Sequence, residues 1–172
     1  MKSTSIRDGF GPIASKYEGL FFSLEGSSGC NKSTVAAELV DFYGDIVEVF
    51  SRDIFTRDAV LELLTKGIMT SKRIHRYSTL CDLDVKFVTQ FPSVVMKNPD
   101  MMLNGSFYKL MYTIYKDFKL APVVNLSMKR AILKAIRAGR IPIIDTIANG
   151  TAGMKSIVPH DTSRLLQISL YC

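Results

Sequence analysis

The segment Gly26–Ser33 (GSSGCNKS) constrains the fold of this sequence more than any other feature. The apolar run before it, Gly19–Leu24, predicts a buried strand. The residues after it, Ser33–Tyr43, carry apolar side chains at helical spacing and stop at Gly44, which predicts a helix. A glycine-rich loop that joins a strand to a helix N-terminus is typical of a backbone cradle for phosphate groups.

The segment follows the Walker A pattern G-x-x-x-x-G-K-[ST] at all but one of its defined positions. Lys32 is then expected to reach the β- and γ-phosphates of a nucleotide, and the Ser33 hydroxyl to bind Mg²⁺. Asn31 stands where the pattern has glycine, and it tolerates a positive φ better than most residues. If the loop needs a positive φ there, a strained non-glycine residue costs on the order of 1–3 kcal/mol, which would lower the expected affinity for nucleotide. The predicted nucleotide-binding residues are Gly26, Ser27, Ser28, Gly29, Cys30, Asn31, Lys32, Ser33 and Thr34.

Strands and helices alternate along the rest of the chain, which predicts an α/β fold with a parallel sheet. The further predicted strands are Asp45–Phe50, Ile141–Asp145 and Arg164–Cys172. The further predicted helices are Asp58–Leu64, Ser71–Gln90 (ending before Pro92), Ser106–Phe118 and one that begins at a cap on Asn125 or Ser127 and runs to Ala138. We therefore expect a P-loop NTPase-type sheet over 19–172, with a helical insertion at about 54–120 and a polar leader at 1–18.

Two aspartates lie where predicted strands end. The ligand crevice of a parallel α/β sheet lies outside the carboxyl ends of its strands. Asp145 ends the third strand, where it is placed to bind magnesium through a metal-bound water, to contact the acceptor, or to be an ordinary solvated aspartate. Asp53 follows the second strand, where it is placed either to accept a proton from a substrate hydroxyl or to cap the next helix.

The composition indicates one intracellular domain. The chain has 172 residues, three cysteines and no apolar run long enough to cross a bilayer, so we expect a cytoplasmic protein without a membrane partner. The net charge of +6 suits a protein that binds anions. Five basic residues lie between Lys129 and Arg140 with no acidic residue among them, and we interpret them as a solvated helix face rather than a nucleic-acid site.

The stretch Leu24–Thr34 (LEGSSGCNKST) resembles the P-loop of nucleoside and nucleotide kinases. The chain from 19 to 172 is more similar to chloramphenicol phosphotransferase-like and zeta-toxin-like kinases, on the stretches FSRDIF, GSFYKLMYTIY and AIRAGRIPIIDTI. This resemblance implies transfer of the γ-phosphoryl group of ATP or GTP, with Mg²⁺, to a hydroxyl of a small molecule. It also implies that Asp53 is the base. Thymidylate kinases carry Asp-Arg after strand three, whereas here Thr146 follows Asp145, so nucleotide kinases rank second.

Kinases of this kind continue past strand four into an arginine-bearing lid helix and a fifth strand. The last predicted strand here is Arg164–Cys172, so we expect a chain truncated before the lid, a lid from elsewhere, or a domain that does not catalyse. The third case is a degenerate P-loop domain with a binding or regulatory role. The sequence leaves the acceptor, the choice of ATP or GTP and the oligomeric state open.

Overall fold

A computed structural model of the chain describes residues 21–25, 31–145 and 165–169. This part of the chain is an α/β structure, mostly helical, with a small parallel sheet. Its strands are β1 (Phe21–Glu25), β2 (Val47–Ser51), β3 (Ile141–Asp145) and β4 (Leu165–Ser169). Its helices are α1 (Lys32–Tyr43), α2 (Arg52–Thr65), α3 (Ser71–Cys81), α4 (Val85–Lys97), α5 (Gly105–Asp117) and α6 (Ala121–Arg137).

The strands pair in the order β2-β3-β1-β4, and all three pairings are parallel. Ile143 of β3 lies opposite Phe22 of β1 on one side and Val49 of β2 on the other. Pro142 is the second residue of β3, and the pairing with β1 begins only after it, at Ile143. This is where a proline, which cannot donate to a ladder, is tolerated in a central strand.

The chain divides into two compact units, one made of Met1–Arg52 with Leu126–Cys172 and the other of Asp53–Asn125. In the first unit α1 packs against the sheet. The burial of apolar side chains supplies most of the stabilisation of such a layer. The buried core here is formed by Leu24, Ala36, Leu39, Val47, Ile141 and Ile143.

The second unit is helical, and its core lies among α2 to α5 and the 3₁₀ turn Pro99–Leu103. Fully buried side chains recur at helical spacing, for example Leu110 and Ile114 on α5 and Val88 and Val95 on α4. This spacing gives each helix one apolar face, which can be removed from water only against other helices. The unit therefore holds together through helix packing.

Several sequence expectations are confirmed. The predicted first strand, the helix Ser33–Tyr43, the helix Ser106–Phe118 and the third and fourth strands are all present, within about two residues at most ends. Gly44 ends α1 with φ 56°, as a glycine stop should. The polar leader at 1–18 and the turn expected near 148–161 lie outside the described residues.

The single helix predicted over Ser71–Gln90 is wrong, and so is its end before Pro92. The chain breaks at Asp82, which has φ 50°, and restarts where the Asp84 side chain accepts a hydrogen bond from the Lys86 amide at 2.6 Å. Pro92 then lies inside α4. An interior proline costs about 3 kcal/mol, whereas each fully buried large apolar side chain of α4 contributes about 1.5–3 kcal/mol.

Two helices begin earlier than the sequence predicts. The helix predicted at Asp58–Leu64 begins at Arg52. Its first buried side chain is the polar Thr56, which conceals the apolar spacing in the sequence. The helix expected to begin at Asn125 or Ser127 begins at Ala121, with Pro122 in its first turn. A proline there removes no helix hydrogen bond, because the first amides have no partner within the helix.

Candidate functional site

The first turn of α1 carries the described part of the predicted phosphate loop. Asn31, just before the helix, has φ 54° and ψ 25°, a left-handed conformation that asparagine tolerates better than most residues. Its carbonyl accepts the first helix hydrogen bond, from the Val35 amide at 3.0 Å. Lys32, Ser33 and Thr34 follow in the first turn, which contains no acidic residue. The amides of a first turn have no partner within the helix and point toward its N-terminus, where they favour anions.

Ser33 and Asp145 meet at the end of the sheet although 112 residues separate them in the chain. The Ser33 Oγ donates a hydrogen bond to Asp145 Oδ2 at 3.1 Å. Ser33 is solvent-exposed and Asp145, the last residue of β3, is half-buried. The contact joins the two residues that the sequence predicts for magnesium. In proteins, Mg²⁺ is usually coordinated by a few side-chain oxygens, with phosphate oxygens and water completing the coordination. One hydroxyl and one carboxylate therefore fit that ion.

The strand order places this contact at a topological switch point. The connection that leaves β1 leads to β2, beyond β3, whereas the connection that leaves β3 leads to β4, beyond β1. The connections that follow the neighbouring strands β1 and β3 therefore run toward opposite edges of the sheet. In open parallel sheets ligands bind outside the carboxyl ends of such a pair of strands. The Ser33–Asp145 contact lies at this edge of the sheet.

Asp53 lies in the helical unit, in the first turn of α2, two residues after the end of β2. It is not the residue before the helix, so it does not occupy the cap position. The hydroxyl of Tyr108, the fourth residue of α5, donates a hydrogen bond to Asp53 Oδ1 at 3.3 Å. Burial, and then the negative charge of Asp53, raises the pKa of Tyr108 to about 12. The phenol therefore keeps its proton at neutral pH and acts as a donor.

Tyr108 was not predicted from the sequence. It is 55 residues from Asp53 and lies beside the apolar stripe of its helix, where a tyrosine is an ordinary half-buried residue. No motif at either position indicates the pairing, because only the packing of α5 against α2 creates it. Gly26, Ser27, Ser28, Gly29 and Cys30, the remaining predicted loop residues, lie outside the described residues.

The basic residues of α6 lie on its solvent side. Arg130, Lys134 and Arg137 are exposed, and Arg140 pairs with Glu48 at 3.0 Å on the edge strand β2. The spacing of the first three, i, i+4 and i+7, gives one stripe on the helix surface. This arrangement matches the solvated face expected from the sequence.

The described residues thus form an α/β structure with a polar contact, Ser33–Asp145, at its switch point. Within 21–25, 31–145 and 165–169, no three His, Cys, Asp or Glu side chains form a group that could hold a metal ion. In the same ranges, no helix is both long and apolar enough to cross a membrane. No protein-family model, curated protein or solved structure matches the chain.

Proposed function

We propose that this chain is a P-loop phosphotransferase that moves the γ-phosphoryl group of ATP or GTP to a hydroxyl of a small molecule. The contact between Ser33 Oγ and Asp145 Oδ2 carries the proposal. The hydroxyl belongs to the G-x-x-x-x-N-K-S segment, and the carboxylate ends the neighbouring strand at the switch point. The sequence motif and the Ser33–Asp145 contact thus both support a nucleotide at this edge of the sheet.

The roles follow from the chemistry of the side chains. Lys32 balances the negative charge of the β- and γ-phosphates. This charge is redistributed over their oxygens as the phosphoryl group is transferred. Ser33 and Asp145 would hold Mg²⁺, which would neutralise part of the phosphate charge when bound. The backbone amides of the first turn of α1 face the same anion. These roles cover Lys32, Ser33 and Asp145, which all lie in the first unit.

Asp53 takes the acceptor side of the proposal. Its carboxylate accepts the proton of the attacking hydroxyl, as the resemblance to chloramphenicol phosphotransferase-like kinases implies. Its position supports the assignment, because Asp53 is the second residue after β2, where the resemblance implies the base. The acceptor is expected to be a small molecule with a free hydroxyl.

Two substitutions test these roles separately. Lys32→Ala should weaken Mg-ATP and Mg-GTP binding by about a hundredfold or more in calorimetric titrations, because a charge-assisted contact to phosphate is lost. Lys134→Ala, which removes an equal charge from the exposed face of α6, is the matched control and should leave the affinity unchanged. Asp53→Asn should lower turnover and leave nucleotide affinity as it is. Loss of affinity in both lysine variants alike would contradict a phosphate site at α1.

Asn31 favours a second candidate, a degenerate P-loop domain that binds a partner or nucleotide without catalysis. In that case its side chain obstructs the phosphates, and Asn31→Gly should strengthen Mg-ATP binding about tenfold or more. For an active phosphotransferase we expect a change of less than about threefold, because Asn31 already has the left-handed conformation and pays no further strain on binding. Calorimetry on this one variant separates the two candidates.

A further inference from the structure

Asp53, in the first turn of α2, is in contact with helix α5 of the same unit. Tyr108 Oη lies 3.3 Å from Asp53 Oδ1, so a residue of α5 reaches the first turn of α2. A hydrogen bond from a neutral hydroxyl to a carboxylate is stronger than one between two neutral groups. It also restricts the rotation of the carboxylate about its side-chain bonds.

Tyr108 is itself held by a ladder of tyrosines on α5. Its ring stacks on Tyr112 with centroids 6.0 Å apart and planes 7° apart. Tyr112 in turn stacks on Tyr115 at 5.3 Å, and the Lys116 ammonium lies 4.7 Å from the Tyr112 ring centroid. Tyr115 is buried, so the ladder is anchored in the core of the unit. The phenol that contacts Asp53 therefore lies at one end of a row of stacked rings.

We propose that Tyr108 is a positioning residue for the acceptor side of the reaction, and that its hydroxyl orients the Asp53 carboxylate to accept the proton of the acceptor hydroxyl. This inference rests on the proposed function. In the transfer, the acceptor oxygen forms a bond to the γ-phosphorus while the bond from that phosphorus to the β–γ bridging oxygen breaks. The electron pair of that bond leaves with the nucleoside diphosphate, and the acceptor proton passes to Asp53. Tyr108 keeps its own proton throughout.

The state of the phenol supports this assignment. Burial first, and then the Asp53 charge, raises the pKa of Tyr108 to about 12, with a smaller contribution from Tyr112. A phenol that stays protonated can only help a neighbouring carboxylate in its ionised form, and that is the form a proton acceptor needs.

The first measurement tests the contact without any activity. Absorbance near the phenolate band, titrated with pH in the wild type and in Tyr108→Phe, isolates the ionisation of Tyr108 by difference. The same subtraction in an Asp53→Asn background should give a Tyr108 pKa below about 12 but above the ordinary value near 10, because burial remains. An unchanged pKa in the Asp53→Asn background would overturn the proposal. In each background, the protein that keeps Tyr108 is compared with its Tyr108→Phe variant. If that variant folded poorly, its remaining tyrosines would titrate together, and the loss of folding would be recognised.

The second measurement is phosphate release from Mg-ATP with water as the acceptor. Tyr108→Phe should lower kcat about tenfold and change KM for Mg-ATP by less than about twofold, because only the acceptor side is disturbed. Asp53→Asn should lower kcat by about a hundredfold or more. Tyr112→Phe, which keeps the ring and removes a hydroxyl that does not contact Asp53, is the matched control and should have the wild-type rate.

A double variant separates positioning from structural support. If Tyr108 acts through Asp53, adding Tyr108→Phe to Asp53→Asn should cost nothing more in kcat, whereas independent effects would multiply. Multiplying effects, a wild-type rate in Tyr108→Phe, or an equal loss in Tyr112→Phe would each overturn the proposal. A wild type that releases no phosphate would overturn the proposed function and this role with it. An active wild type with an unaffected Tyr108→Phe would remove the role alone.

Discussion

Replacing Asp145 with asparagine separates magnesium binding from folding at the switch point. The substitution removes one negative charge and keeps an oxygen that can accept the hydrogen bond from the Ser33 hydroxyl. The two side chains are otherwise the same size. The core beneath them, which includes the fully buried Ile143 and Ile144, is untouched.

The expected magnitudes follow from this geometry. Ser33 is exposed and its bond to Asp145 measures 3.1 Å, so the bond contributes no more than about 1 kcal/mol and the unfolding free energy should change by less than that. Loss of a charged oxygen beside a metal ion typically lowers metal affinity by about 10–100-fold, which corresponds to about 1.4–2.8 kcal/mol. Asp145→Asn should therefore weaken the binding of Mg-ATP by that factor.

The assay is a pair of calorimetric titrations with ATP, one with magnesium and one with a chelator. Without the metal, the Asp145 carboxylate only repels the phosphates, so Asp145→Asn should bind free ATP as well as the wild type or better. Glu48→Gln is the matched control, because it removes a carboxylate from the same sheet where it pairs with Arg140. An equal loss of affinity with and without magnesium, or an equal loss in the control, would refute the reasoning.

Three further predictions concern stability and are measured by urea unfolding. Asn31→Ala should lower the unfolding free energy by about 1 kcal/mol, because alanine is strained at φ 54°, whereas Asn31→Gly should stay within about 0.5 kcal/mol; equal losses would contradict the left-handed conformation. Burial and the Asp117 hydrogen bond raise the pKa of Tyr77, and burial and the Asp53 charge raise that of Tyr108, so the folded state holds both protons more tightly than the unfolded state. Stability should therefore be full below pH about 10 and fall as pH rises above it, less steeply in Tyr77→Phe; equal slopes in the two proteins would count against the buried phenol. Phe91→Ala, at a fully buried position, should cost about 3–5 kcal/mol, and a loss below about 1 kcal/mol would place Phe91 outside the core.

The elements that could be predicted are those whose own residues determine them. The strand β3 ends at Asp145 as expected, and α1 ends at Gly44, because an apolar run and a glycine stop are local signals. The break at Asp82 and the proline inside α4 could not be predicted in the same way. There the burial of Val88 and Phe91 against other helices outweighs the local preference of the chain.

The residues of the candidate site also differ in whether the local sequence could predict them. Lys32 and Ser33 are recognisable because the phosphate-binding pattern is contiguous in sequence. That the carboxylate of Asp145 lies 3.1 Å from Ser33 depends on the pairing of β1 with β3, which no residue pattern specifies. Tyr108 could not be found at all, since its role depends on one long-range contact between two helices.

Amide chemical-shift mapping with Mg-ATP tests the central claim most directly, because it reports where on the chain the nucleotide binds. The account predicts the largest shifts at Lys32, Ser33 and Thr34 in the first turn of α1 and at Asp145 at the end of β3, where the strand order places the switch point. Saturation of these shifts would give the affinity in the same experiment. Absence of any shift at millimolar nucleotide, or shifts confined to the basic stripe between Lys129 and Arg140, would contradict it.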